Sequence, residues 1–322
     1  MKAWLELFRI SNLPTVWSNI IAGAAISWVL FGNQLQLSAE YILALVVIML
    51  GGSCLYSGGM VLNDVFDLDV DLKERPQRPI PSGRISLLNA KIAGWLLLVA
   101  GIALVWITHP NDIWPVACAG MIAACSVVYN LIHNRTKMSV VLMGICRALL
   151  YPMGAVGLVG TGIFASEQGG AEYVFLILFS FASCVHTIAF SLVARQEMST
   201  VRNQSDRLFA AATFSLCVPF SMLTIMMLLF VGTEYSTSVW PSPMIPVLVG
   251  LLVLSGWLVR NYRLLLKKPP RTTGFILGSI AAFCLYDAAI CMLLPPRIAF
   301  LTMIPLGLFF IVRAGHRRIP GT

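Results

Sequence analysis

The chain has 322 residues, of which 58% are hydrophobic and only 11% charged, and its 22 Lys and Arg outnumber 14 Asp and Glu to give a formal net charge of +8. So few charges exclude an ordinary soluble domain, where roughly a quarter of residues are charged, and describe a polytopic membrane protein forming a single domain over residues 1–322. In a soluble chain the positive excess would suggest nucleic acid. Here no nucleic-acid partner is expected, because the bases lie where a lipid bilayer orients them.

In chain order, Met1 to Phe8 is a short amphipathic lead with Lys2 and Arg9 near its ends, and Pro14 opens the first apolar segment. No small-residue cleavage site marks a removable signal peptide. Apolar segments run over 14–31, 40–62, 90–108, 113–132, 138–160, 172–194, 208–232, 243–261, 273–294 and 297–313. Most approach the roughly 20 residues that a helix needs to cross the hydrocarbon core, and only helices satisfy their own backbone groups there. The expected fold is all-α, a polytopic transmembrane bundle of nine or ten helices. The count turns on 297–313, which is short and follows Pro295-Pro296.

Lys and Arg concentrate in the intervals 63–91, 133–138, 195–207 and 260–271, whereas 109–113, 160–172 and 233–243 have none. This alternation puts the amino terminus and the charged loops in the cytoplasm, and a bacterial inner membrane is the expected location. The cysteines Cys54, Cys118, Cys125, Cys146, Cys184, Cys217, Cys284 and Cys291 all fall in apolar segments without a C-x-x-C pair. They are expected to be small buried hydrophobes, not disulfides or zinc ligands.

The most informative stretch begins where the second apolar segment meets water: Asn63-Asp64-Val65-Phe66-Asp67-Leu68-Asp69-Val70-Asp71, followed by Lys73, Arg75, Arg78 and Arg84. On a helix, Asp67 and Asp71 lie within about 60° of Asp64 and Asn63 extends the arc to about 100°, while Asp69 points away. Like charges on one face repel unless a cation stands among them, and oxygen ligands of this kind suit Mg²⁺. Mg²⁺ held by few carboxylates completes its shell with phosphate oxygens, so a diphosphate is expected, with Arg75 and Arg78 contacting it directly. A solvated loop of mutually neutralising charges is the alternative. It accounts for neither the one-sided spacing nor the apolar helix beneath.

Asn63-Asp64-x-x-Asp67-x-x-x-Asp71, then Arg75-x-x-Arg78-Pro79-x-x-Ser82-Gly83, resembles the first aspartate-rich motif of the UbiA superfamily of intramembrane prenyltransferases. The resemblance implies a UbiA-like bundle of two pseudo-repeated halves, usually with nine helices, and two such motifs that hold a prenyl diphosphate through Mg²⁺. Arg9-Ile10-Ser11-Asn12-Leu13-Pro14 fits the family more loosely. The second motif is degenerate. In Arg195-Gln196-Glu197-Met198-Ser199-Thr200-Val201-Arg202-Asn203-Gln204, Glu197 is the acid that keeps the spacing, with Thr200 and Gln204 as neutral oxygen donors. Glu197 is either a weak second metal ligand or an interfacial partner of Arg195 or Arg202. The chain therefore resembles an atypical branch, such as the UbiA-like EboC proteins of bacterial biosynthetic clusters.

Tyr129-Asn130-Leu131-Ile132-His133 resembles the family's Tyr-x-x-x-Lys, with His133 in place of the lysine and Arg135 or Lys137 as substitute cations. A basic cytoplasmic loop without ligand duty is the alternative for the latter pair. Arg147, His186 and Asp287 lie deep in apolar segments, where charge is costly unless paired or hydrated. Arg147 is a candidate for an acceptor or the far side of the diphosphate, or else a buried partner of Asp287. His186 is equally well explained as a hydrogen-bonded helix contact.

The resemblance implies Mg²⁺-dependent transfer of a prenyl group from a prenyl diphosphate to an unidentified acceptor within the bilayer. Asp64, Asp67, Asp71, Arg75 and Arg78 would be the catalytic set, with Asp64, Asp67, Asp71 and Glu197 as metal ligands. Asn63, Tyr129, His133, Arg135, Lys137, Arg147, Arg195 and Glu197 would line the substrate. A non-catalytic carrier or exporter of a phosphorylated lipid, and a cyclase or phosphatase acting on a prenyl diphosphate, are the competing functions.

Overall fold

The computed structural model describes residues 2–31, 38–133, 135–159, 170–197, 241–267, 271–294 and 298–318. Its elements, all helical, are α1 (Lys2–Leu7), α2 (Leu13–Phe31), α3 (Ala39–Phe66), α4 (Leu68–Glu74), α5 (Leu87–Trp106), α6 (Ile113–Ile132), α7 (Val140–Ala148), α8 (Leu150–Val159), α9 (Gly170–Glu197), α10 (Pro241–Tyr262), α11 (Thr272–Cys291) and α12 (Met303–Arg318), with short 3₁₀ turns before α2, α7 and α12. Among the described residues, 8 helical stretches are long and apolar enough to cross a membrane. Nine of the expected apolar segments are helical, and 208–232 lies outside the described residues. The final segment, with its 3₁₀ turn Ala299–Thr302 leading into α12, is one of the eight.

Helix starts follow local chemistry. The Ser38 hydroxyl accepts the Tyr41 N–H at 3.1 Å and Ser86 accepts that of Asn89 at 3.2 Å, satisfying amides that lack an intrahelical partner. The fifth apolar segment, expected as one helix, divides into α7 and α8 at Leu149. Pro152, in the first turn of α8, has no N–H to give the Ala148 carbonyl, which would otherwise continue the ladder.

Lipid offers no hydrophobic drive for helix association, so close packing decides which helices pair. The α3–α5 contact is built on reciprocal glycines. A Cβ on Gly58 would stand 2.9 Å from the Gly94 carbonyl oxygen, and one on Gly101 would stand 2.9 Å from that of Gly51. Any side chain there forces the backbones apart. In the other half, α11 is the hub: every residue from Gly278 to Cys291 is buried, and α2, α9, α10 and α12 all pack on it.

Long-range contacts draw the charged loops to one end of the bundle. Arg84 donates to Glu6 at 2.9 Å, fastening α1 to the segment after α4, and His316 of α12 meets the Asn12 side chain at 2.8 Å.

Candidate functional site

The last turn of α3 carries Asn63 and Asp64. The Asp67 N–H still reaches the Asn63 carbonyl at 2.9 Å, and the Asp71 N–H reaches the Asp67 carbonyl at 2.8 Å. Helical spacing therefore persists across the α3–α4 joint. Asp64 and Asp71 are 4% and 2% exposed and face inward, while Asp69 is exposed, as the spacing predicts.

Arg78 Nη1 lies 2.6 Å from Asp71 Oδ2 and 3.3 Å from Asp64 Oδ1, so two buried carboxylates converge on one nitrogen. Arg9 Nη2 meets the same Asp64 oxygen at 3.1 Å. Arg9 holds φ 49 and ψ 47, a left-handed conformation that costs a non-glycine residue about 1–2 kcal/mol, and its contact with Asp64 offsets that strain. Burial pushes the Asp71 carboxyl above its ordinary range, and the Arg78 hydrogen bond and charge, which pull it down, do not fully compensate. Guanidinium groups are thus the cations beside Asp64 and Asp71.

Asp67 takes a different partner. His133 Nε2 stands 2.8 Å from Asp67 Oδ1, its Nδ1 lies 3.1 Å from the Asn130 carbonyl, and its ring stacks on Tyr129 with centroids 5.1 Å apart. Burial alone would lower the imidazole pKa. The hydrogen bond and charge of Asp67 outweigh it, and the net shift is upward. Asn63 Nδ2 donates to Asn130 Oδ1 at 3.2 Å, and Asn130 Nδ2 donates to the Gly59 carbonyl at 3.2 Å, tying α3 to α6.

Arg195 donates to the Thr136 carbonyl at 2.8 Å and to the His133 carbonyl, anchoring the end of α9 on the turn after α6. Glu197 is the last residue of α9, and its side chain lies outside the described residues, as do Thr200, Arg202 and Gln204. Arg75 is half-buried at the end of α4, where its N–H bonds the Asp71 carbonyl at 2.9 Å. Arg135 is exposed, and Lys137 opens the 3₁₀ turn Lys137–Ser139 with its side chain outside the described residues.

The deep ionisable residues form a network with a different centre from the expected pair. Arg147 donates to Asn19 Oδ1 at 2.9 Å and Thr15 Oγ1 at 3.1 Å, and its guanidinium lies 4.4 Å from the Phe283 ring centroid. Asn19 Nδ2 then donates to Asp287 Oδ2 at 2.8 Å, and the Tyr151 hydroxyl donates to Asp287 Oδ1 at 2.7 Å. Asn19 therefore stands between the two charges. His186 sets Nε2 2.9 Å from the Ser279 carbonyl and packs edge-on against Phe283, which is a helix-to-helix contact. Arg9, Asn19 and Asn130 are the residues that sequence spacing undervalued. A polar Asn19 within an uncharged, strongly apolar helix was the available signal for one of them.

Among the described residues, no three His, Cys, Asp or Glu gather closely enough to hold a metal by themselves. The convergent pair still fits a hard divalent ion: Asp64 and Asp71 aim oxygen donors at one point, and Mg²⁺ is ordinarily held by one or two carboxylates with substrate phosphates and water completing the shell.

A bundle of membrane-length helices, with buried acids and guanidinium groups converging at one end, defines a multi-pass membrane protein with a polar site at its helix termini. The chain belongs to the UbiA prenyltransferase family, whose profile matches residues 13–274. It is 35% identical over 108 residues to digeranylgeranylglyceryl phosphate synthase of Sulfurisphaera tokodaii, covering 32% of this chain and 34% of that protein. The synthase of Saccharolobus solfataricus is 37% identical over 106 residues, covering 32% and 34%. The aligned part thus spans about a third of the length of these curated relatives. A solved structure described as "Structural and mechanistic insights into the biosynthesis of Digeranylgeranylglyceryl phosphate synthase in membranes" matches with a TM-score of 0.55 at 18% identity, covering 98% of this chain and 97% of that one, a likeness of fold.

Proposed function

We propose that this protein transfers a prenyl group from a prenyl diphosphate to an acceptor within the membrane, with Mg²⁺ as cofactor. The observation that carries the reading is the convergence of Asp64 and Asp71 on the Arg78 guanidinium. Asp64 and Asp71, joined by Asp67 when it leaves His133, would hold the ion, which would offset the charge of the diphosphate. Glu197 is the candidate for a second, weaker ligand position. Arg78, beside both acids, would supply guanidinium donors to the diphosphate. Arg9 and Arg75 would add positive charge beside it, and Asn63 would hold the acid-bearing turn against Asn130.

The reaction needs what such a site supplies. The allylic carbon–oxygen bond breaks as the acceptor oxygen bonds to the same carbon, the diphosphate leaves, and the acceptor gives up its proton. Fixed cations stabilise the departing charge more in this low-dielectric setting than in water. Apolar helix walls would house the prenyl tail and keep water from the electron-poor carbon. The relatives' name describes a glyceryl phosphate bearing two geranylgeranyl groups, so a glyceryl-phosphate lipid is the acceptor class to try first. The Asp64 end is assigned to the cytoplasm by the positive-inside rule, and a bacterial inner membrane remains the proposed location.

The test is diphosphate release from labelled geranylgeranyl diphosphate by the reconstituted protein, with and without a prenylated glyceryl phosphate. Release that needs the acceptor and Mg²⁺, with the label entering lipid, is the expected result. Acceptor-independent release would point to a phosphatase or cyclase. Binding without release would point to a carrier.

A further inference from the structure

Where α10 and α12 end, Trp257 organises a cluster of cations remote in sequence from the acid motif. Its indole N–H donates to the Gly278 carbonyl at 2.9 Å, and Phe309 packs edge-on against it with centroids 4.9 Å apart at 87°. The ring is therefore held in one orientation. The Arg260 guanidinium lies over this ring 5.3 Å from its centroid, and the Arg313 guanidinium lies over it at 5.1 Å. Arg317, one turn beyond Arg313 on α12, adds a third positive charge nearby.

None of these three arginines forms an ion pair with a carboxylate among the described residues. Cation–π contacts hold the guanidinium groups at the ring without neutralising them. Arg260 and Arg317 are exposed, and so are Phe310 and Ile311 of α12, at 69% and 55%. The cluster thus lies at the ends of two membrane-length helices, with the exposed apolar Phe310 one turn before Arg313 on the same side of α12.

We propose that Trp257, Arg260, Arg313 and Arg317 form a binding site for the phosphate of an anionic glycerophospholipid whose acyl chains lie along Phe310. Guanidinium groups match phosphate oxygens with paired donors, and an indole at this depth suits the headgroup boundary. Basic pockets between transmembrane helices recognise anionic headgroups in this way. A soluble phosphate would share the arginines but would have no use for the apolar flank.

Native mass spectrometry of the full chain, released from neutral detergent and titrated with phosphatidylglycerol or phosphatidylcholine, tests this. The wild type is expected to retain one phosphatidylglycerol at least fivefold more readily than phosphatidylcholine. R260Q/R313Q is expected to lose that preference while R260K/R313K keeps part of it. The exposed Arg317→Gln, expected to weaken retention about threefold, serves if the double variant does not fold. Equal retention of the two lipids, an undiminished preference in R260Q/R313Q, or an undiminished preference in Arg317→Gln if the double variant fails to fold, would overturn the site. Binding of inorganic phosphate without lipid preference would replace it with a soluble-anion site.

Discussion

Arg78 Nη1 stands 2.6 Å from Asp71 Oδ2, with the two side chains only 13% and 3% exposed, so the carboxylate and the guanidinium neutralise each other out of contact with water. Arg78→Gln leaves Asp71 buried without a cation and Asp64 with Arg9 alone. Breaking a buried pair from one side costs on the order of 3 kcal/mol, so a drop of several degrees in thermal midpoint is expected in detergent. Asp71→Asn, which keeps the shape and a hydrogen bond to Arg78, is expected to cost less. Equal losses in the two variants would contradict the charge argument.

The metal assignment separates the acids. Asp64→Ala is expected to abolish Mg²⁺-dependent binding of a prenyl diphosphate in an isothermal titration while the protein still inserts in the membrane. Glu197→Gln should only raise the Mg²⁺ needed for half-maximal binding, and Thr200→Asp should lower it, since an added anionic oxygen attracts the ion. If neither second-site change moves the Mg²⁺ dependence that Asp64→Ala destroys, Glu197 has no part in holding metal.

His133 gives a pH test. Its folded pKa is raised above the ordinary 6.5 by Asp67, so its contribution to stability is complete below about pH 6.5 and disappears as pH rises through the folded value. His133→Gln should therefore cost more thermal stability at pH 6 than at pH 9, measured against wild type in the same detergent. A gap that is flat or widens with pH would show that the imidazole is not the charged partner of Asp67.

Asn19 links two buried charges, and its removal should resemble the loss of both contacts. Asn19→Ala is expected to destabilise by about 3 kcal/mol or more, because Arg147 and Asp287 each lose a hydrogen-bond partner. In a double-mutant cycle, Arg147→Met and Asp287→Asn should couple in the wild type and lose that coupling in the Asn19→Ala background.

Helix pairing has its own check. Gly58→Ala places a methyl 2.9 Å from the Gly94 carbonyl oxygen, a backbone atom that yields only if α3 and α5 separate. A cost of about 1–3 kcal/mol is expected, against little change for Gly120→Ala, where a Cβ would meet nothing within 4 Å.

Composition and segment length alone dictated an all-helical membrane bundle, because lipid leaves the backbone no other way to satisfy its polar groups. Helical periodicity likewise turned Asp64 and Asp71 inward and Asp69 outward, since the α3–α4 joint keeps the hydrogen-bonding rhythm. Tertiary structure decided the pairings. Asp67 went to His133 on α6, Arg9 crossed to Asp64, and Asn19 came between Arg147 and Asp287. Such pairings depend on which helices lie side by side. In lipid that choice is made by close contacts such as Gly58 against Gly94, which periodicity within a single helix does not encode.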